Sequence, residues 1–188
     1  MVALAFVLLW LGWAVSWFAA STWSSPAVRR SSFMSGLPYR IVIAIGGALF
    51  LIPAHGYYGW MRFWLVNWNE AWICVALTAL GIAFAWWARF YLGALWSGAV
   101  VTKDDHRIVD TGPYRIVRHP IYTGLLFATY ATMAAKGTLA AIAGAVLITI
   151  GIWMKARLEE KFLRRELGAD AYNAYSRRVP MLVPLVGI

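Results

Sequence analysis

An all-α integral membrane fold is what this sequence predicts, and three observations predict it. Of its 188 residues, 62% are hydrophobic and 13% charged, with a mean hydropathy of +0.65, far from the usage of soluble domains. Five apolar runs, at about 2–20, 41–59, 71–92, 120–135 and 138–154, read as about five transmembrane helices. Of the 17 basic residues, all except Arg62 and Lys136 fall in the segments on one side of those five crossings. The positive-inside rule then puts the N-terminus outside and the C-terminus in the cytoplasm. The net charge of +9 is therefore a topology signal and a contact with lipid headgroups, and a nucleic-acid partner is not expected. The 12 Trp and 9 Tyr suit interfacial belts and core packing.

The elements follow in order. The first run lacks a basic leading segment, so it reads as a membrane helix rather than a signal peptide. In the second, Pro53 is expected to kink the helix near its outer end, and His55 reads as an interfacial polar residue. Cys74 lies in the third run and reads as a small core residue. The fourth, about 24 Å long, falls short of a hydrocarbon core of about 30 Å. It is followed by the turn "AAKGTLAA" and by a helix with small residues at Ala140, Gly144 and Gly151. Such residues let helix backbones approach, so helices four and five are expected to form a packed hairpin. The fifth helix continues out of the membrane through "WMKARLEEKFLRRELG", with an apolar stripe of Leu158, Phe162, Leu163 and Leu167 and a stop at Gly168. A second amphipathic piece ends at Pro180. The reading is of one membrane domain, 1–188: three N-terminal helices over 1–92, then a core over 93–188. In that core the 93–118 loop and the C-terminal helices form a cytoplasmic cap.

Three constellations carry chemistry. In "GPYRIVRHPIYTG", residues 112–124, Pro120 suits the first position of the fourth helix and places His119 at its cap. The N–H groups of Ile121, Tyr122 and Thr123 then point into the cytoplasmic loop, an arrangement that binds anions. Tyr122 and His119 add a hydroxyl and an imidazole. A purely structural reading stands beside this one: Pro120 starts the helix, Tyr122 belongs to the belt, and Arg118 snorkels to lipid phosphate. In "RLEE", Glu160 is expected to pair with Arg164 one turn on, leaving Glu159 as the acid turned towards a buried polar ligand. Asp104, Asp105 and His106 are adjacent rather than at ligand spacing, so no metal site is expected. No dinucleotide, phosphate-loop or nucleophile-elbow motif is present, and no ionisable residue marks a transport pathway mid-membrane. A structural membrane scaffold is the non-enzymatic alternative.

Residues 112–124, followed by "EEKFLRRELGADAYNAYSRRVP" at 159–180, resemble the membrane methyltransferases of the isoprenylcysteine carboxyl methyltransferase type, over roughly residues 93–184. The resemblance implies S-adenosylmethionine as methyl donor, with S-adenosylhomocysteine as product. It implies a donor site between the helical hairpin, the loop and the C-terminal helix. By position it implicates a residue near Val101, the strand-like segment His106, Arg107, Ile108 and Val109, then Tyr114, the element His119, Pro120, Ile121 and Tyr122, and Glu159. His119, Tyr122 and Glu159 are the residues expected closest to the chemistry. Where eukaryotic prenylcysteine enzymes carry an arginine that meets the substrate carboxylate, this chain has Lys155, which keeps the charge and loses the bidentate fork. The acceptor implied is lipophilic or amphiphilic, an isoprenylcysteine-like carboxylate first, with a phospholipid amine or a small thiol as alternatives. The partners are membrane lipids and that acceptor, and the oligomeric state stays open.

Overall fold

The computed structural model describes residues 1–23, 29–30, 32–52, 61–97, 101–102 and 108–184. Among the described residues six α-helices follow one another: α1 Val2–Ala19, α2 Phe33–Leu51, α3 Trp68–Leu92, α4 Pro120–Lys136, α5 Leu139–Leu167 and α6 Ala169–Arg178. A two-residue antiparallel ladder joins β1 Arg29–Arg30 to β2 Val101–Thr102. Among the described residues, Val2–Trp23, Phe33–Leu51, Trp68–Leu95 and Leu139–Glu166 are long and apolar enough to cross a membrane. The protein is an all-α integral membrane protein. With 17 residues, α4 is shorter than these, as its run in the sequence implies.

Local chemistry sets the helix ends. Asn67 and Glu70 cap α3 reciprocally, each side chain accepting the other's backbone N–H at 2.9 and 2.8 Å. Between α4 and α5, Gly137 adopts the left-handed conformation with φ 61°, and Thr138 Oγ1 then accepts the Ala141 N–H. Gly168 stops α5 at the expected place, and α6 ends two residues before Pro180. The second helix needs a correction. It spans 33–51 instead of 41–59, because Ile52 is extended (ψ 127°), the conformation favoured before a proline. The chain leaves the helix before Pro53 rather than kinking at it. Pro53 and His55 lie outside the described residues.

The packing also differs from the expected hairpin. The long contacts are α2 along α5 and α3 along α4, while α4 and α5 touch far less. Gly144 meets α2: a Cβ there would lie 2.7 Å from the Gly46 carbonyl and 2.8 Å from the Phe50 nitrogen. Gly151 likewise faces Ile43 and Tyr39 of α2. In the other pair Gly81 and Gly124 oppose each other, each leaving no room for a Cβ against the facing backbone. Small residues at helical spacing announce a close approach but do not name the partner: α4 and α5 form a hairpin about the Gly137 turn, while the small residues of α5 face α2.

Helix α1 has no buried residue and is held by tryptophans. Trp10 donates its indole N–H to Thr132 Oγ1 at 3.1 Å, and Trp17 meets Trp86 and Trp96 edge-on. Thr132 also bonds Thr78 across the α3–α4 seam. The two outlying basic residues share one end of the bundle. Arg62 bridges to Thr138, and the neighbouring Phe63 N–H bonds the Gly137 carbonyl beside Lys136. Arg89 lies at the opposite end but is not a surface charge. It is wholly buried, donates to the Ala20 and Gly93 carbonyls at 2.7 and 2.8 Å, and packs its guanidinium 4.3 Å from the Trp96 ring centroid. The end of α1 is thereby tied to the end of α3.

Replacing Gly124 by Val forces α3 and α4 apart. It is expected to cost about 1–3 kcal/mol, read as a lower midpoint of thermal unfolding in detergent. Gly47→Ala, where a Cβ meets nothing within 4 Å, leaves that midpoint unchanged or raised.

Candidate active site

Pro120 occupies the first position of α4, and His119 precedes it with φ −123° and ψ 62°. The His119 ring does not cap the helix. It stacks parallel on Tyr122, with centroids 5.5 Å apart and planes 9° from parallel. Its Nδ1 lies 3.6 Å from Glu159 Oε2, and its Nε2 lies 3.4 Å from Glu160 Oε1. The Nε2 atom is buried and makes no well-aligned hydrogen bond among the described residues. Tyr122 donates its hydroxyl to Glu159 Oε1 at 2.6 Å, and the Lys155 ammonium sits 3.8 Å from the same oxygen and 5.2 Å from the Tyr122 ring centroid. Helices α4 and α5, little packed together elsewhere, thus converge here on His119, Tyr122, Lys155 and Glu159.

Glu160 is the surprise. It does lie 3.4 Å from Arg164, as the helical spacing implies, yet it is 1% exposed and its shorter bond is with Arg118, whose Nε donates at 2.7 Å. Arg118 therefore turns inward instead of snorkelling to lipid. Its NH1 donates to the Ser176 and Val179 carbonyls, so one guanidinium joins α5 to the end of α6. A carboxylate this deeply buried needs a cation beside it, and Arg118 supplies one.

The chain after α6 closes over the start of α4. Arg118 N–H bonds the Pro180 carbonyl at 2.8 Å, His119 N–H bonds that of Met181 at 3.1 Å, and Thr123 Oγ1 donates to Leu182 O at 2.6 Å. Of the three N–H groups expected to face a ligand, that of Thr123 is used within the helix, bonding the His119 carbonyl. The anion-binding mouth is narrower than the motif implies.

The cap is built by aromatic residues. Tyr172, Tyr175 and Val179 pack on Ile108 and Leu163. Tyr175 donates to the Tyr114 carbonyl at 2.8 Å, and Asp110 pairs with Arg178 at 3.6 Å. Burial pushes the phenols of Tyr114, Tyr172 and Tyr175 well above their usual range, so all three stay neutral donors at any physiological pH. Tyr114 packs with Ala88 and Ile121 against Val109, Tyr122, Leu92 and Trp96, which makes an apolar wall beside the polar cluster. Leu92 and Val109 also line a cavity of about 570 Å³ between the end of α3 and residues 108–111. At its rim Gly112, with φ 57°, lies under the Tyr91 ring, where a Cβ would come within 2.5 Å.

The structure therefore brings together Tyr114, Ile121, Tyr122 and Val109 on one wall, with His119, Glu159 and Lys155 beside it, and buries Pro120 at the helix start. Ile108 faces the α6 cluster instead. Val101 lies in β2, paired with Arg30. His106 and Arg107, like Asp104 and Asp105, lie outside the described residues. Sequence reasoning missed the inward Arg118, the buried Glu160 and the Tyr175 anchor. The one available signal was a second carboxylate next to Glu159 with only Arg164 assigned to it.

Residues 73–165 match the model of the isoprenylcysteine carboxyl methyltransferase (ICMT) family. Across that segment, just under half of its length, the chain is similar to this family. Methanethiol S-methyltransferase 2 of Bradyrhizobium diazoefficiens is 45% identical over 73 residues, 38% of this chain and 26% of that protein. Protein-S-isoprenylcysteine O-methyltransferase B of Arabidopsis thaliana is 34% identical over 85 residues, 45% of this chain and 43% of that one. The nickel-cobalt-cadmium resistance protein NccN of Alcaligenes xylosoxydans xylosoxydans is 26% identical over 125 residues, 65% and 56% of the two chains. The chain thus spans from about a quarter to just over half the length of these relatives. The ICMT segment contains α4, most of α3 and all but the last two residues of α5, and so both carboxylates. The strap and α6, which Arg118 holds, lie beyond it.

Removing the Glu160 carboxylate leaves the Arg118 guanidinium buried without its counter-charge. Glu160→Ala is expected to cost about 3–5 kcal/mol, whereas Glu159→Ala, at a site 17% exposed, costs distinctly less. Thermal unfolding of the two variants in the same detergent makes the comparison.

Proposed function

We propose that the chain is an S-adenosylmethionine-dependent methyltransferase of the membrane. It transfers a methyl group to a lipophilic or amphiphilic acceptor, with an isoprenylcysteine-like carboxylate as the first reading. The observation that carries this is the convergence of His119, Tyr122, Lys155 and Glu159 beside an apolar aromatic wall, inside the segment that matches the family. Four of the bundle's segments make the protein integral to a membrane. The distribution of basic residues supports a site on the cytoplasmic face, and our reading is of a prokaryotic inner membrane.

The residues present fit the donor. S-adenosylmethionine, when bound, supplies a methyl group on a positively charged sulfonium. The Glu159 carboxylate, oriented by the Tyr122 hydroxyl, suits its ammonium or ribose hydroxyls. The wall of Val109, Tyr114, Ile121 and Trp96 suits a purine ring. The buried His119 Nε2 is a polar atom still in want of a well-aligned partner.

Methyl transfer to an anion neutralises charge, so the protein's task is alignment and the exclusion of water. The parallel stack of His119 on Tyr122 and the strap over α4 serve both. A carboxylate or thiolate acceptor needs no general base. An ammonium acceptor must first lose a proton, and His119 and Glu159 are the candidates for that base. A small thiol is the second reading, favoured by the relatives named as methanethiol S-methyltransferases. The Lys155 ammonium suits either anion.

Calorimetric titration of the detergent-purified protein with S-adenosylhomocysteine tests the donor site. Micromolar binding is expected, weakened at least tenfold by Glu159→Ala and by Tyr122→Ala. A folded protein that shows no binding would sink the methyltransferase reading.

A further inference from the structure

Lys155 is held by more than its carboxylate. Its ammonium lies 5.2 Å from the ring centroid of Tyr122 on α4 and 5.9 Å from that of Tyr39 on α2, within reach of both π faces. Tyr39 is 6% exposed, buried near the start of α2. Its place depends on Gly151, one helical turn before Lys155 on α5. A Cβ at Gly151 would lie 2.5 Å from Ile43 Cγ1 and 3.1 Å from the Tyr39 carbonyl oxygen. The glycine lets the α2 backbone come close enough for the next residue on that face, Lys155, to reach the Tyr39 ring. A second cation, Arg40, lies 5.6 Å from the same ring, 4.6 Å from that of Phe33. The hydroxyl of Tyr122 occupies Glu159 Oε1 at 2.6 Å, so Lys155 stands off at 3.8 Å from that oxygen, between the two rings.

We propose that Tyr39 is a positioning residue of the site, holding the Lys155 ammonium against Tyr122 where an anionic methyl acceptor is received. The inference rests on the methyltransferase reading above and extends it to α2, which lies outside the segment that matches the family. An aromatic face attracts a cation without adding a second negative charge beside Glu159, so it fixes the ammonium without further offsetting its attraction for an incoming anion. A second carboxylate in the place of Tyr39 would weaken that attraction.

The test uses the full chain in detergent with two probes, N-acetyl-S-farnesylcysteine for a carboxylate and hexanethiol for a thiolate. KM and kcat are measured for Tyr39→Leu, Tyr39→Phe, Lys155→Gln and the double variant Tyr39→Leu with Lys155→Gln. The affinity for S-adenosylhomocysteine is measured on each. Tyr39→Leu is expected to raise the acceptor KM about three- to thirtyfold, the span of a desolvated cation–π contact, with donor affinity within twofold. Tyr39→Phe, which keeps the face, should restore KM to within twofold. In the Lys155→Gln background the Leu substitution should add nothing further, since both act through the same contact. A KM that Tyr39→Leu leaves alone overturns the proposal. So does an equal rise in the Lys155→Gln background, or a Phe variant as impaired as Leu. Donor binding with neither probe methylated also overturns it, by removing the anionic acceptor. Loss of donor binding in the unsubstituted protein is the separate failure of the methyltransferase reading, and this inference falls with it.

Discussion

Glu160 is a carboxylate 1% exposed at the foot of a membrane helix, and burying such a group costs several kcal/mol unless cations and donors surround it. Arg118 arrives from the start of α4, Arg164 from one turn along α5, and His119 from beside Arg118. Meeting that one requirement fixes much else. Arg118 must turn inward, which sets the rotation of the segment that enters α4. Its remaining N–H groups must then find acceptors, and they find them at the end of α6. His119 comes to lie between two carboxylates because its neighbour is already committed. The candidate site is in this sense the outer surface of a buried ion pair.

The membrane part is arranged by a different constraint, the close approach of backbones. Two glycine pairs, Gly81 with Gly124 and Gly46 with Gly144, draw the helices into two tight partnerships. Between them α4 and α5 diverge from their shared turn at Gly137, and the divergence leaves room for long polar side chains to meet. A tightly packed α4–α5 hairpin would have closed that space. The site lies where the hairpin's own arms, which touch less than either glycine-paired partnership, bring those side chains together.

Much of this was legible beforehand. Proline and glycine mark helix ends by local stereochemistry, so the start of α4 and the ends of α5 and α6 fell where the sequence places them. Tyr122, His119 and Glu159 were recognisable from motif and spacing, and they do converge. Three things were not legible, each for a physical reason. Helix α2 begins in a polar stretch with Ser35, Tyr39 and Arg40, so hydropathy placed it too late. The partners of Gly144 and Gly151 depend on tertiary arrangement, which spacing along one helix does not encode. The Arg118–Glu160 bond joins residues 42 apart in the chain, while Arg164 offered a local explanation that was true but incomplete.

The strap over α4 gives the molecule an order of completion. Residues 118 and 119 leave the ribosome some sixty residues before the carbonyls of Pro180 and Met181 that accept their N–H groups. The stretch after α6 covers the ion pair and the helix start together. Completion of the site thus depends on residues about sixty positions downstream of the motif that starts α4.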